Sequence, residues 1–165
     1  MVTCLRYSPD GAWLASSSHD GISWLGTKAS IKIWSVRDRG PAVQTVTNHY
    51  HSITSIDFSP DGTKFISSSH DNTVMIWNFN DGLLSVYKTL SNYTQNVEVV
   101  KFSPDGNLFA SAGNDKTVRI FSIDDEIVLI HTLTGHTDPI KYLAFSPDSK
   151  TLVSLSADGM KLWDI

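Results

Sequence analysis

The chain has 165 residues, 41% of them hydrophobic and 18% charged, enough for one ordinary domain whose core needs no disulfide. Thirteen basic and 17 acidic residues leave a formal charge of −4, which gives no overall attraction for nucleic acid or anionic lipid, so neither is expected as a partner. The lone Cys4 makes neither an internal disulfide nor a multi-cysteine zinc site. No apolar run is long enough to cross a bilayer, and the opening segment reaches Arg6 and a turn too early for a signal peptide. The expectation is an intracellular protein of cytoplasm or nucleus, with no membrane segment.

The first predicted element is a strand over Val2 to Tyr7, closed by the turn Ser8-Pro9-Asp10-Gly11. Proline presets φ at the second position of a type I turn, and glycine is favoured at its last. The same Ser-Pro-Asp unit returns at Ser59, Ser103 and Ser146, in steps of 51, 44 and 43 residues. Gly62 and Gly106 follow it as Gly11 does, whereas Ser149 takes that place in the fourth copy. After each turn come an apolar stretch, small polar residues, an aspartate and alternating residues ending on an aromatic: WLASSSHD…IKIW, FISSSHDNTVMIW, LFASAGNDKTVRIF and LVSLSADGMKLW. Asp71 to Trp77 and Asp115 to Phe121 are six apart, but Asp20 to Trp34 is fourteen, so copy one carries eight extra residues around Gly21 to Ala29. Asp158 to Trp163 is five, a turn one residue tighter.

Ten residues before each later Ser-Pro-Asp stand His49, Tyr93 and His136. The runs Ile53 to Phe58, Val97 to Phe102 and Ile140 to Phe145 alternate as strands do, and no helical period occurs. These features give an all-β chain of repeats of four short strands, with copies at approximately 1–40, 41–82, 83–126 and 127–165.

Gly135-His136 followed by Trp163-Asp164, with four FSPDG-like turns in register, resembles the WD40 repeat of β-propellers. The terminal pair departs from Trp-Asp in copies one to three, as Trp34-Ser35, Trp77-Asn78 and Phe121-Ser122. The resemblance implies one WD40 repeat domain over 1–165, a four-bladed and incomplete or open propeller. Its ends would pair with a second copy or with remaining blades. It also implies a hydrogen-bonded set per blade: His49, Ser67, Asp71 and Trp77 in copy two, and His136, Ser154, Asp158 and Trp163 in copy four. Copy three, with Tyr93 and Phe121 around Ser111 and Asp115, is expected to have a broken set. Copy one has Ser16, Asp20 and Trp34 and no histidine.

Serine, histidine and aspartate also make hydrolase triads, but these recur once per blade at structural spacing, so no enzyme is expected. His49-Tyr50-His51 lacks a third ligand for a metal, and neither metal nor cofactor is expected. Asp124-Asp125-Glu126 reads as a solvated turn. Ile33 to Arg37 resembles the box by which some WD40 proteins dock on a cullin ligase adaptor, which gives an alternative role as a ubiquitin-ligase substrate receptor.

The family binds through top-face positions that fall here on His19, His70, Asn114 and Ala157, on Thr3, Thr54, Glu98 and Lys141, and on Ser52, Asn96 and Pro139. The insertion adds Ile22, Trp24 and Leu25, either packed on the blade or offered to a partner. Trp24 is the best single anchor. The mixture of side chains points to a protein or peptide ligand, and the expected role is a non-catalytic scaffold.

Overall fold

The computed structural model describes residues 1–19, 28–124 and 126–165, in which fifteen strands form four antiparallel sheets. Blade one contains β1 (Val2–Tyr7), β2 (Trp13–Ser18), β3 (Ile31–Ser35) and β4 (Gln44–Val46). Blade two contains β5 (Ile53–Phe58), β6 (Lys64–Ser69), β7 (Val74–Asn80) and β8 (Leu83–Leu90). Blade three contains β9 (Val97–Phe102), β10 (Leu108–Gly113), β11 (Val118–Ser122) and β12 (Val128–Leu133), and blade four has β13 (Ile140–Phe145), β14 (Thr151–Ser156) and β15 (Gly159–Asp164). Each blade is a meander, and the inner strands pack in the order β1, β5, β9, β13. The result is four blades of a WD40-type β-propeller. Each outer strand follows its blade's third strand and leads into the next blade, so the sequence repeat and the blade are out of phase by one strand.

The core lies at the three seams between blades. Ile33 and Ile31 of blade one meet Ile56, Phe65 and Trp77 of blade two. Ile66, Val74 and Ile76 then face Val100, Phe109 and Phe121, and Ala110, Val118 and Ile120 face Ile140, Leu143 and Leu152. Strict alternation would place only every second residue inward. A bulge near the top of each inner strand shifts the register between Val2 and Cys4, Ile53 and Ser55, Val97 and Val99, and Ile140 and Tyr142. Beyond the bulge, neighbours such as Val99 and Val100 point to opposite faces and are both buried, because each face of the blade packs on an adjoining one, Val99 at the third seam and Val100 at the second.

The outer faces of the terminal blades are exposed. Leu5 and Tyr7 of blade one stand at 53% and 63% accessibility, while Ile56 and Phe58, their counterparts in blade two, are buried. Met160 and Leu162 of blade four are likewise open, and their counterparts Val74 and Ile76 are fully buried. The propeller is therefore an open arc in this structure.

The bottom of the arc is built by the Ser-Pro-Asp turns. In every turn the serine Oγ donates to the aspartate Oδ1, from Ser8 to Asp10 at 2.5 Å through Ser146 to Asp148 at 2.6 Å, and that oxygen also accepts a backbone N–H two residues on. These bonds hold the Asp10 and Asp148 carboxyls below the usual carboxylate range, and they outweigh the opposing effect of burial at Asp61 and Asp105. Gly11, Gly62 and Gly106 have φ near +70 to +79°, and Ser149 adopts the same region at 59°. A hydrogen bond across the seam accompanies that exception: the Ser149 Oγ accepts the Asp105 N–H at 3.2 Å.

Gly113 sits at the blade-three bulge, where an added Cβ would lie 2.1 Å from the Asn96 carbonyl oxygen. That oxygen and the next atoms it would meet, Val97 Cα and Glu98 N, are all backbone, so none yields easily. Gly113→Ala should destabilise the fold by about 1–3 kcal/mol, seen as a lower midpoint in thermal denaturation; an unchanged midpoint would contradict the packing described.

Candidate functional site: the top face

Each blade's top is made by the turn between its second and third strands and the loop entering its first. In blade two the His49 ring, 1% exposed, lies between these segments. Its Nδ1 is 2.9 Å from Asp71 Oδ2 and its Nε2 is 2.8 Å from Ser67 Oγ, and the Trp77 indole donates to the same Oγ at 3.0 Å. A carboxylate only accepts, so the ring proton sits on Nδ1 and the serine hydroxyl donates to Nε2. Thr73, which the sequence reading missed, donates to Asp71 at 2.6 Å, and the Tyr50 N–H donates to the other carboxylate oxygen at 2.9 Å. Burial raises the Asp71 carboxyl, but these bonds and the histidine outweigh it and bring it to about 2.

Blade four repeats the arrangement. His136 joins Asp158 at 2.5 Å and Ser154 at 2.7 Å, and the Trp163 indole donates to Ser154 at 2.9 Å. The Thr137 N–H, then the His136 ring, hold Asp158 well below the carboxylate range. Ser67 and Ser154 are fully buried and already bonded, so neither can meet a substrate, and these two sets cannot serve as hydrolase triads.

In blade three the set is broken at two of its links, since Asp115 does not meet Tyr93 and Phe121 has no N–H to give Ser111, but one link survives. The Tyr93 hydroxyl reaches Ser111 Oγ at 2.7 Å, filling the place of an imidazole nitrogen, and burial pushes the phenol up to about 12. Asp115, freed from a histidine, pairs with Arg119 at 3.1 Å, and that guanidinium lies 4.4 Å from the Tyr93 ring centre. Phe121 stacks on Phe109 at 4.9 Å. The signal that could have found this was Arg119, which stands where copies one, two and four have Lys32, Met75 and Lys161. In blade one the Trp34 indole donates to Ser16 at 2.9 Å. Asp20 and Trp24 fall outside the described residues.

Several of the family's binding positions make contacts across the seams. His19 Nδ1 of blade one is 2.5 Å from Ser52 Oγ of blade two. Thr54 Oγ1 lies 2.8 Å from Ser68 Oγ in its own blade and donates to the Val97 carbonyl of blade three, also at 2.8 Å. Glu98 of blade three takes the Lys141 ammonium of blade four at 2.9 Å, with His70 of blade two 3.4 Å away at ion-pair but not hydrogen-bond geometry. The Asn114 N–H donates to the Asn96 carbonyl at 2.9 Å. Deeper on the inner strands, Asp57 bridges Arg6 and Lys101 and accepts the Phe102 N–H. No group of three histidine, cysteine, aspartate or glutamate residues among those described is placed to hold a metal.

The family model "WD domain, G-beta repeat" matches residues 1–22, 40–78, 84–122 and 127–164. The chain belongs to the WD40-repeat family. Among its relatives are periodic tryptophan protein 2 of Arabidopsis thaliana, 32% identical over 99% of this chain, and the transcriptional corepressor LEUNIG_HOMOLOG of the same plant, 30% identical over 100%. The Arabidopsis protein SUPPRESSOR OF PHYA-105 1 is 33% identical over 93%. This chain spans 17%, 19% and 14% of the length of those proteins.

Two measurements check the bonding. Tyr93→Phe strands the buried Ser111 hydroxyl and should cost about 0.5–1.5 kcal/mol in denaturant unfolding. The depressed Asp71 carboxyl contributes stability that is present above its ordinary value of 3.8 and lost as pH falls through about 2. Asp71→Asn should therefore lower stability at neutral pH and flatten the loss between about pH 4 and 2; an unaltered acid limb would contradict the assignment.

Proposed function

We propose that the chain is a non-catalytic scaffold that holds a protein or peptide on its top face. The observation that carries this reading is the division of labour among the polar residues. The serine, histidine and aspartate sets face inward and are buried, while the top carries side chains that differ from blade to blade, with Tyr50 at 75% accessibility. Variation on a rigid scaffold is where specificity can reside. The family and the corepressor among its relatives support an interaction role.

Within the candidates, His19, Ser52, Thr54, Glu98 and Lys141 serve the seams as well as the surface, so His70, Asn96 and Asn114 remain as contacts with no hydrogen bond across a seam among the described residues to give up, and Trp24 stays a candidate beside them. The bias against nucleic acid rests on net charge alone. No helix among the described residues is long and apolar enough to cross a membrane, and an intracellular site in cytoplasm or nucleus is part of the proposal. The exposed faces of blades one and four match faces buried at the inner seams, which supports a further blade or a second copy as their occupant. The cullin-adaptor alternative rests on Arg37, exposed after β3, with Ser35 donating to Asp38 at 2.7 Å in place of the usual aspartate; the comparisons lend it no support.

The test is affinity enrichment followed by mass spectrometry with wild type, Tyr50→Ala at the top and Lys150→Glu at the bottom. The expected result is loss of the captured partners with Tyr50→Ala alone, at an unchanged melting temperature. Loss with Lys150→Glu and retention with Tyr50→Ala would move the interface to the bottom face.

A further inference from the structure

Over the seam between blades one and two the top face gathers several hydrogen-bond donors around Tyr50, His51 and Ser52. The Lys28 ammonium, exposed, lies 5.4 Å from the centre of the exposed Tyr50 ring. Tyr50 is followed by His51, also exposed, whose ring centre is 5.8 Å from that of His70. The Nδ1 of His51 accepts the Ser52 N–H at 2.8 Å, so its ring proton sits on Nε2, directed away from the backbone. Ser52 in turn holds the exposed His19 through Nδ1. Three consecutive residues, Tyr50, His51 and Ser52, thus gather one ammonium, one phenol and three imidazoles through three pairwise contacts of less than 6 Å.

The acceptors nearby are already engaged. Both Asp71 oxygens receive hydrogen bonds from His49, Thr73 and the Tyr50 N–H, and the side chain is 6% exposed. Glu98, 14% exposed, is neutralised by Lys141. Among the described residues, then, this part of the top has donors and positive charge without a free carboxylate, although the chain as a whole carries −4. A surface of that kind is complementary to carboxylates and repels a basic segment.

We infer that the Lys28–Tyr50–His51–His19 surface binds an acidic peptide segment, its side-chain carboxylates taking the ammonium and the imidazole N–H groups while the phenol ring packs on its aliphatic stems. The inference rests on the top-face reading and narrows it to one partner chemistry. Charge-assisted bonds of this type are stronger than neutral ones and weaken with salt.

The test uses fluorescein-labelled peptides of equal length in which six consecutive positions are glutamate, glutamine or lysine, titrated with the full chain and read by anisotropy. The expected order is glutamate at least tenfold tighter than glutamine, with no lysine binding and an affinity that falls as salt rises. Lys28→Glu and His51→Ala should each weaken the glutamate peptide at least fivefold, and Lys150→Glu on the bottom should leave it unchanged. Equal binding of glutamate and glutamine peptides, or indifference to Lys28→Glu and His51→Ala, overturns the inference. The top-face reading is scored apart, by whether Tyr50→Ala loses the natural partners; retention of the Tyr50 effect with failure of the glutamate peptide removes the acidic chemistry alone.

Discussion

Every blade of this protein has two apolar faces, and the fold depends on burying one blade's face against the next. A free four-stranded sheet would expose both. The first two seams meet this need with branched aliphatic residues from one side and phenylalanine or tryptophan from the other, and the third is aliphatic at its centre with Phe145 and Trp163 half-buried against it. The polar structure at the two ends of the arc keeps those seams in register. At the bottom, Ser149 accepts the Asp105 N–H, and at the top, His19, Thr54, Glu98 and Lys141 reach across to the neighbouring blade.

The serine, histidine and aspartate sets answer a different demand. The loop entering each blade must fold over apolar strands, and an imidazole placed there needs a partner for each nitrogen. In blades two and four an aspartate and a serine supply them. Blade three solves the same problem with fewer polar atoms: Tyr93 has a single hydroxyl, Ser111 satisfies it, and Asp115 is left to take an arginine. The geometry conserved between blades is the serine at mid-strand, while the group that reaches it changes.

Much of this was legible because the signals are local and repeated. Ser-Pro-Asp at four positions marks the bottom turns, and the runs from Val2, Ile53, Val97 and Ile140 are the four inner strands with the boundaries that alternation gave. The copy-two and copy-four side chains stand in the bonding pattern that the family resemblance implied. What the sequence concealed was non-local. Nothing near Thr54 announces that its hydroxyl meets the Val97 carbonyl, and nothing near Glu98 announces Lys141, because the seam partners lie about one repeat away. The third set lacks the links that Tyr93 and Phe121 cannot make; what the sequence did not announce is that the Tyr93 hydroxyl still reaches the serine and that Asp115 turns to Arg119. The bulges also escaped, since a one-residue shift is invisible where small serines and alanines occupy both faces. Most of the insertion, residues 20–27 with Trp24, lies outside the described residues.

These assignments leave the top face as the place where blades differ and the buried sets as the means of holding it in position. The central claim is that the histidines fasten loops to blades, and long-range proton–nitrogen correlation NMR on the folded chain tests it most directly. For His49 and His136 the account predicts the Nδ1–H tautomer, an unprotonated Nε2, and indole protons of Trp77 and Trp163 that exchange with solvent only through opening of the fold. Rings averaging between tautomers, with indole protons exchanging at solvent-exposed rates, would contradict it.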